Sequence, residues 1–264
     1  MKMGPNRIGW CAPLDAASIV RDLGFDFLEP PLAAFGLEDQ ASLDRAKAAV
    51  AQTALPIAAF NWFYPRDFRI VGDSVDRDRV QSYMRRAAEL VQHAGAGAVG
   101  LGSGWARNVP DGFSRARARD QILESLGWLA DAFAGSGAMI GIEAQNRKEA
   151  NIINRLAEAV DYAAALNRPD VVRIIADFYH MDEEAEPLED LARFGDWIVH
   201  VQLADTGRLY PGTGAYDYDG FFRNLRAGGY AGTISVECMI PMEEAGIRDC
   251  EKFLRGHWPR DVSA

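Results

Sequence analysis

The stretch that decides the fold is Ile198–Gly214, IVHVQLADTGRLYPGTG. Val199, Val201 and Leu203 alternate with His200, Gln202 and Ala204, so it begins as a strand with one apolar face and one face able to carry chemistry. It then breaks into two polar turns, Asp205-Thr206-Gly207-Arg208 and Pro211-Gly212-Thr213-Gly214. A buried parallel strand has no reason to keep His and Gln on one face unless something there binds them. Three other apolar runs end in a carboxylate. Met139–Ile142 runs into Glu143, Val171–Ala176 into Asp177 and Thr233–Val236 into Glu237, and helical sequence follows each.

Working outward, one rhythm fills the chain. Strands are expected at Arg7–Cys11, Phe25–Glu29, Pro56–Trp62, Ala98–Gly102 and the four stretches above. Helices are expected at Ala16–Leu23, Gln40–Ala54, Val75–Ala94, Ser114–Phe133, Ile152–Leu166, a short acidic segment to Phe194, Tyr218–Ala227 and Met242–Leu254. Eight strands alternating with eight helices over roughly 250 residues predict an α/β chain folded as a single-domain (β/α)8 TIM barrel spanning residues 1–264. A doubly wound open sheet would normally carry a Gly-rich phosphate turn after an early strand, and Gly9-Trp10-Cys11-Ala12-Pro13 is not one. A barrel requires its active groups at the C-terminal ends of the strands, where the carboxylates stand.

Composition narrows the function. A net charge of −10 argues against a nucleic-acid partner, which needs a basic face. Arg115, Arg117 and Arg119 cluster, but at a helix start, where a solvated face is the simpler reading. No run approaches the ~18 apolar residues of a membrane span, and the opening residues do not read as a signal peptide. The three cysteines, Cys11, Cys238 and Cys250, have neither a disulfide-framework nor a metal-ligand spacing, so free thiols in a reducing cytoplasm are expected.

Several motifs are similar to those of the xylose-isomerase-like barrel superfamily of sugar isomerases and epimerases. They are GIEAQNRKEANIIN after strand five, ADFYHM after six, HVQLADTGR…PGTGAYDYDGFF at seven and TISVE at eight. The opening stretch looks most like hydroxypyruvate isomerase and its relatives. The resemblance implies a divalent metal held by Glu143, Asp177, Gln202 or His200, and Glu237. Residue chemistry agrees: three carboxylates with one neutral ligand favour Mn²⁺ or Mg²⁺, and without a cation they would repel strongly. The alternative for each carboxylate is capping the next helix or pairing with an arginine.

On strand seven, imidazole is the better donor, which favours His200. Gln202 stands about 6.6 Å farther up at ~3.3 Å per residue, level with Asp177 and Glu237. Counted back from Arg208, it also takes the place where relatives have a ligating His or Gln. Gln202 is the expected ligand, through its amide oxygen, with His200 a layer below.

The resemblance implies further that His180 contacts a substrate hydroxyl or carbonyl, that Glu149 lies near the substrate and that Arg208 reaches a substrate oxygen. Their structural alternatives are a surface histidine, a helix-start carboxylate and an arginine paired with Asp205. Glu29, Asn61 and Trp62 end strands two and three and could line the pocket. Ser103-Gly104 is too short a turn to claim phosphate binding.

The implied activity is isomerisation or epimerisation of a small carbohydrate through an enediolate, with Glu143 and Glu237 exchanging the proton. A dehydratase of a sugar or inosose on the same scaffold would begin with the same proton abstraction. A metal-dependent phosphodiesterase of the abasic-site endonuclease kind would need more histidines than the four present. A non-catalytic sugar-binding barrel would not need the full carboxylate set. Members of the superfamily are often dimers or tetramers, which leaves a homo-oligomer open.

Overall fold

The computed structural model describes residues 6–239 and 242–260, so residues 1–5 of the segment inspected for a signal peptide lie outside the described residues. Eight strands form one sheet: β1 (Ile8–Cys11), β2 (Phe27–Glu29), β3 (Ala59–Phe60), β4 (Ala98–Leu101), β5 (Met139–Glu143), β6 (Val172–Asp177), β7 (Ile198–Leu203) and β8 (Ile234–Val236). Their order is β2-β1-β8-β7-β6-β5-β4-β3, and every ladder is parallel. The seam between β2 and β3 closes through the bridges Leu28–Ile57 and Pro31–Asn61. The result is a (β/α)8 barrel.

Its helices are α1 (Ala17–Asp22), α2 (Gln40–Ala51), α3 (Arg77–Ala94), α4 (Gly104–Arg107), α5 (Arg115–Phe133), α6 (Leu156–Leu166), α7 (Phe178–Glu183), α8 (Glu189–Arg193), α9 (Tyr218–Ala227) and α10 (Glu244–His257). Local chemistry sets several ends. Asp39 and Ser42 form a reciprocal capping box on α2, Asp76 accepts the Arg79 N–H to start α3, and Gly95 ends α3 in the left-handed region. Such caps are typically worth ~1 kcal/mol each. Arg115 and Arg117 lie exposed on α5, and Arg117 pairs with Asp73.

Three expectations change. The third strand shortens to Ala59–Phe60 because Pro56 has no N–H to give a ladder and Trp62 turns to φ 43°. The Pro56 and Asn61 carbonyls instead accept the Leu28 and Leu32 N–H groups. Helix α6 begins at Leu156 rather than Ile152, since Ile153 stands at φ 60° and the Asn154 amide is tied to the Gln145 and Ala150 carbonyls. The acidic segment after β6 divides into α7 and α8 at Ala185, φ 47°, and Pro187.

One apolar core runs from Ile8 to Trp258. Inside the barrel, small residues make room for large ones. A Cβ on Gly9 would meet Phe27 at 2.2 Å, and one on Gly141 would meet Ile175 at 2.4 Å. At these levels the interior is therefore packed.

Candidate metal and substrate site

The strand ends bring Glu143, Asp177, Gln202 and Glu237 to the top of the barrel, all buried. Glu143 and Asp177 end β5 and β6, and Glu237 follows β8 directly. Asp177 and Gln202 are in-register partners across β6 and β7, whereas His200 is paired one step lower with Ile175. Asp177 also caps α7, as the helix-cap reading expects: its Oδ1 accepts the His180 N–H at 3.2 Å. That uses one oxygen. Asp177 Oδ2 is buried with no hydrogen-bond partner.

Glu143 accepts from Gln145 Nε2 at 3.4 Å and lies 3.3 Å from His180 Nε2. Beneath it the buried Arg107 guanidinium donates to the Leu101 and Glu143 carbonyls at 2.7 and 2.6 Å, tying β4 to β5. Burial lowers the pKa of Arg107 to about 10. Glu237 accepts from Asn61 Nδ2 at 3.2 Å and faces Arg208 Nη1 at 3.4 Å. Arg208 does not pair with Asp205. Asp205 instead accepts the Thr206, Gly212 and Tyr216 N–H groups and holds its own loop together. The Arg208 guanidinium reaches over the carboxylates, 3.5 Å from Glu149 and 3.9 Å from Asp177, and stacks over Tyr179.

His180 is buried, not on the surface. Its Nδ1 accepts the Asn146 backbone N–H at 3.1 Å, and its Nε2 lies 3.3 Å from Glu143 Oε1 and 3.1 Å from Arg208 Nη2. Ligand atoms of Glu143, Asp177 and His180 lie within 4.8 Å of one another, a spacing that could hold a metal ion. To ligate through Nε2, however, His180 would have to carry its proton on Nδ1, against the Asn146 N–H.

Two readings are corrected by the packing, and His200 lies below the site as expected. Glu29 does not line the pocket: it is fully buried, accepting from Gln202 Nε2 at 3.0 Å and bonded to His200 Nε2 at 2.7 Å. Asn61 is likewise buried and holds Glu237. His200 is consumed by Glu29, Thr233 and Ser235, which leaves its ring no free nitrogen for a cation. Gln202 Oε1, by contrast, is buried without a partner.

Above these groups opens a cavity of about 440 Å³, lined by Glu143, Glu237, Arg208 and Glu149 on its polar side and by Trp62, Trp105 and Tyr179 on its aromatic side. Trp62 and Arg208 both hold left-handed φ angles, 43° and 65°, the kind of backbone strain that gathers at functional sites. Gly102 is needed for close approach, since a Cβ there would meet Glu143 Oε2 at 2.0 Å. Ser103 Oγ accepts the Tyr64 N–H at 2.9 Å, so this turn serves packing.

The carboxyl groups are driven apart in acidity. Burial raises Glu143, but the hydrogen bond and charge of His180, with Arg208 and Arg107, outweigh it and hold Glu143 below its ordinary range. Burial pushes Glu237 well up against the opposing charge of Arg208, and the charges of Glu143 and Asp177 add to the rise. Burial also raises Asp177. Three converging carboxylates and two unpartnered buried acceptors, Asp177 Oδ2 and Gln202 Oε1, form an oxygen-rich donor set that fits a hard divalent cation.

A family model described as the xylose isomerase-like TIM barrel matches residues 17–256. The chain belongs to that family. Among its relatives in this family is 3-dehydro-D-guloside 4-epimerase of Escherichia coli (strain K12), 29% identical over 253 residues, which cover 92% of this chain and 94% of that protein. Ketose 3-epimerase of Arthrobacter globiformis is 28% identical, with 90% of this chain and 83% of that protein covered. The crystal structure of 3-keto-D-glucoside 4-epimerase from E. coli superposes with a TM-score of 0.79 at 27% identity, over 95% of this chain and 99% of that one. A D-psicose 3-epimerase structure determined in the presence of D-fructose superposes with a TM-score of 0.82 over 96% of this chain and 99% of that one; at 17% identity it shows the shared xylose isomerase-like fold alone.

Sequence reasoning missed Asn146 and Gln145 as holders of His180 and Glu143, and Trp105 and Tyr179 as cavity walls. Asn146 and Gln145 follow Glu143 directly, and Tyr179 lies between Asp177 and His180, so position beside a strand-end carboxylate was their available signal.

Proposed function

We propose that the chain is a divalent-metal-dependent epimerase or isomerase of a small keto-sugar, and that Glu143 and Glu237 exchange the proton beside the carbonyl. The observation that carries this is the placement of both carboxyls, from β5 and β8, on the wall of one cavity, with Arg208 and His180 bridging between them. The names of the relatives, a 3-epimerase of ketoses and a 4-epimerase of a 3-dehydro-guloside, support a substrate carrying a carbonyl next to the inverted carbon.

Glu143, Asp177, Gln202 and Glu237 would hold the cation, Mn²⁺ or Mg²⁺ by the hardness of the donors. When bound, it supplies Lewis-acid stabilisation of the charge that develops as the proton leaves. The residues do the rest. A proton exchange needs one carboxyl of the pair ionised and the other carrying a proton. One takes the proton from one face of the sugar and the other returns a proton to the opposite face, through an enediolate. His180 and Arg208 meet the substrate oxygens, and Glu149 orients Arg208. Trp62 and Trp105 cover the apolar side of the ring and exclude water.

Cys11, Cys238 and Cys250 are free thiols, which supports a reducing cytoplasmic setting. No helix among the described residues is long and apolar enough to cross a membrane. The test is a panel of keto- and aldo-sugars, hydroxypyruvate and inososes incubated with the enzyme and Mn²⁺, read by NMR. A new epimer or isomer of unchanged mass supports the reading, and a product lighter by one water would assign a dehydratase instead.

A further inference from the structure

Glu29 lies on β2, across the barrel from β7, and joins the two residues of β7 that face inward. Its side chain is fully buried, and its two oxygens are divided: Oε2 to His200 Nε2 at 2.7 Å, Oε1 to Gln202 Nε2 at 3.0 Å. His200 is in turn fixed by Thr233 Oγ1 at 2.9 Å and Ser235 Oγ at 3.0 Å, with the Phe27 ring edge-on below it. Glu29 is therefore held as firmly as the residues it contacts.

A glutamine amide has two ends of nearly equal shape and opposite character, one an acceptor and the other a donor. Only the oxygen can bind a cation. Left to itself, Gln202 would have a reason to turn the wrong way. Its register partner Asp177 carries an unpartnered oxygen, and an N–H donated to it would satisfy that buried acceptor. Glu29 Oε1 accepts from Gln202 Nε2. Placed under Gln202, Glu29 draws the amide nitrogen down and leaves Oε1 unpartnered.

We propose that Glu29 is a positioning residue for the cation site: it sets the orientation of the Gln202 amide, so that the site receives the oxygen and not the N–H₂. This rests on the metal-dependent reading above.

The test is Mn²⁺ affinity, measured by equilibrium dialysis and electron paramagnetic resonance on metal-free protein whose melting temperature is recorded first. Glu29→Met should weaken Mn²⁺ binding roughly 10–100-fold, the usual cost of losing a partner that orients a ligand. Glu29→Gln keeps an acceptor oxygen under Gln202, and the His200 ring can reverse its tautomer against Thr233, so affinity should stay within a few-fold of wild type. In a Gln202→Leu background, adding Glu29→Met should cause no further loss, as expected for two residues acting through one contact. Equal losses in Glu29→Gln and Glu29→Met would overturn the proposal in favour of simple charge attraction. A full further loss in the Gln202→Leu background would overturn it in favour of a general structural role. Wild-type protein that binds neither Mn²⁺ nor Mg²⁺ would refute the metal reading itself, a result distinct from both.

Discussion

Arg208 Nη1 lies 3.4 Å from Glu237 Oε2, so the guanidinium is an intimate partner of a buried strand-end carboxylate and not a loop charge in solvent. It also bears on Asp177 and Glu149. A cation among these carboxylates would share them with Arg208. Arg208→Met should therefore bind Mn²⁺ more tightly than wild type while kcat/KM falls roughly 10–100-fold, from loss of a hydrogen bond to a charged group worth ~1.5–3 kcal/mol. Metal titration and steady-state kinetics on one preparation check both signs. Weaker metal binding would show that Arg208 supports the site indirectly.

Removal of divalent metal should abolish turnover, and Mn²⁺ or Mg²⁺ should restore it. Metal at about 100 times its Kd should also raise the unfolding free energy by ~2.7 kcal/mol. Thermal melts in EDTA and in Mn²⁺ measure this, and coincident melts would count against a specific site.

Glu143→Gln and Glu237→Gln should each lower kcat at least ~10²-fold, the lower range for lost general acid–base work. Metal content is measured alongside, because each carboxyl is also proposed as a ligand. A metal-loaded variant with near-normal kcat would remove that residue from proton transfer.

The carboxylate ring was legible because an apolar run that ends in Glu or Asp is a local pattern. Glu143, Asp177 and Glu237 could be found without knowing what they touch. The level of Gln202 followed from strand rise, and its register with Asp177 matches. Partnerships across the barrel were not legible. Glu29 reads as a pocket residue until β7 brings His200 and Gln202 against it, 171 and 173 positions away. Asn61 is separated from Glu237 by 176 positions. The shortened β3 was hidden because Pro56–Trp62 has strand composition, while the Trp62 backbone angle depends on the closing seam.

Gly102→Ala should disable the enzyme without removing a polar group. The added methyl would stand 2.0 Å from Glu143 Oε2, so the carboxyl must move. A loss in kcat comparable to that of Glu143→Gln is expected, with a folded circular-dichroism spectrum. Unchanged kinetics would mean that Glu143 has room to shift and that its placement matters less than argued.

Glu186 gives a stability test remote from chemistry. Burial raises its pKa to about 7, although the carboxylate accepts the Leu156 N–H at the start of α6. A carboxyl raised on folding is bound to its proton more tightly in the native state than in the unfolded chain. Stability from this group is thus present below the unfolded carboxyl range and is lost as pH rises toward and past about 7. Glu186→Gln should flatten that fall in melting temperature between pH 4.5 and 8, and an unchanged slope would locate the pH dependence elsewhere.

The most direct test of the central claim is solvent hydrogen exchange during turnover. Wild-type enzyme with Mn²⁺ and an accepted keto-sugar in deuterated water should place deuterium on the inverted carbon of the product, and one of the two Gln variants should wash deuterium into unreacted substrate without forming product. Product formed in deuterated water with its original hydrogen retained on that carbon would contradict proton exchange between Glu143 and Glu237.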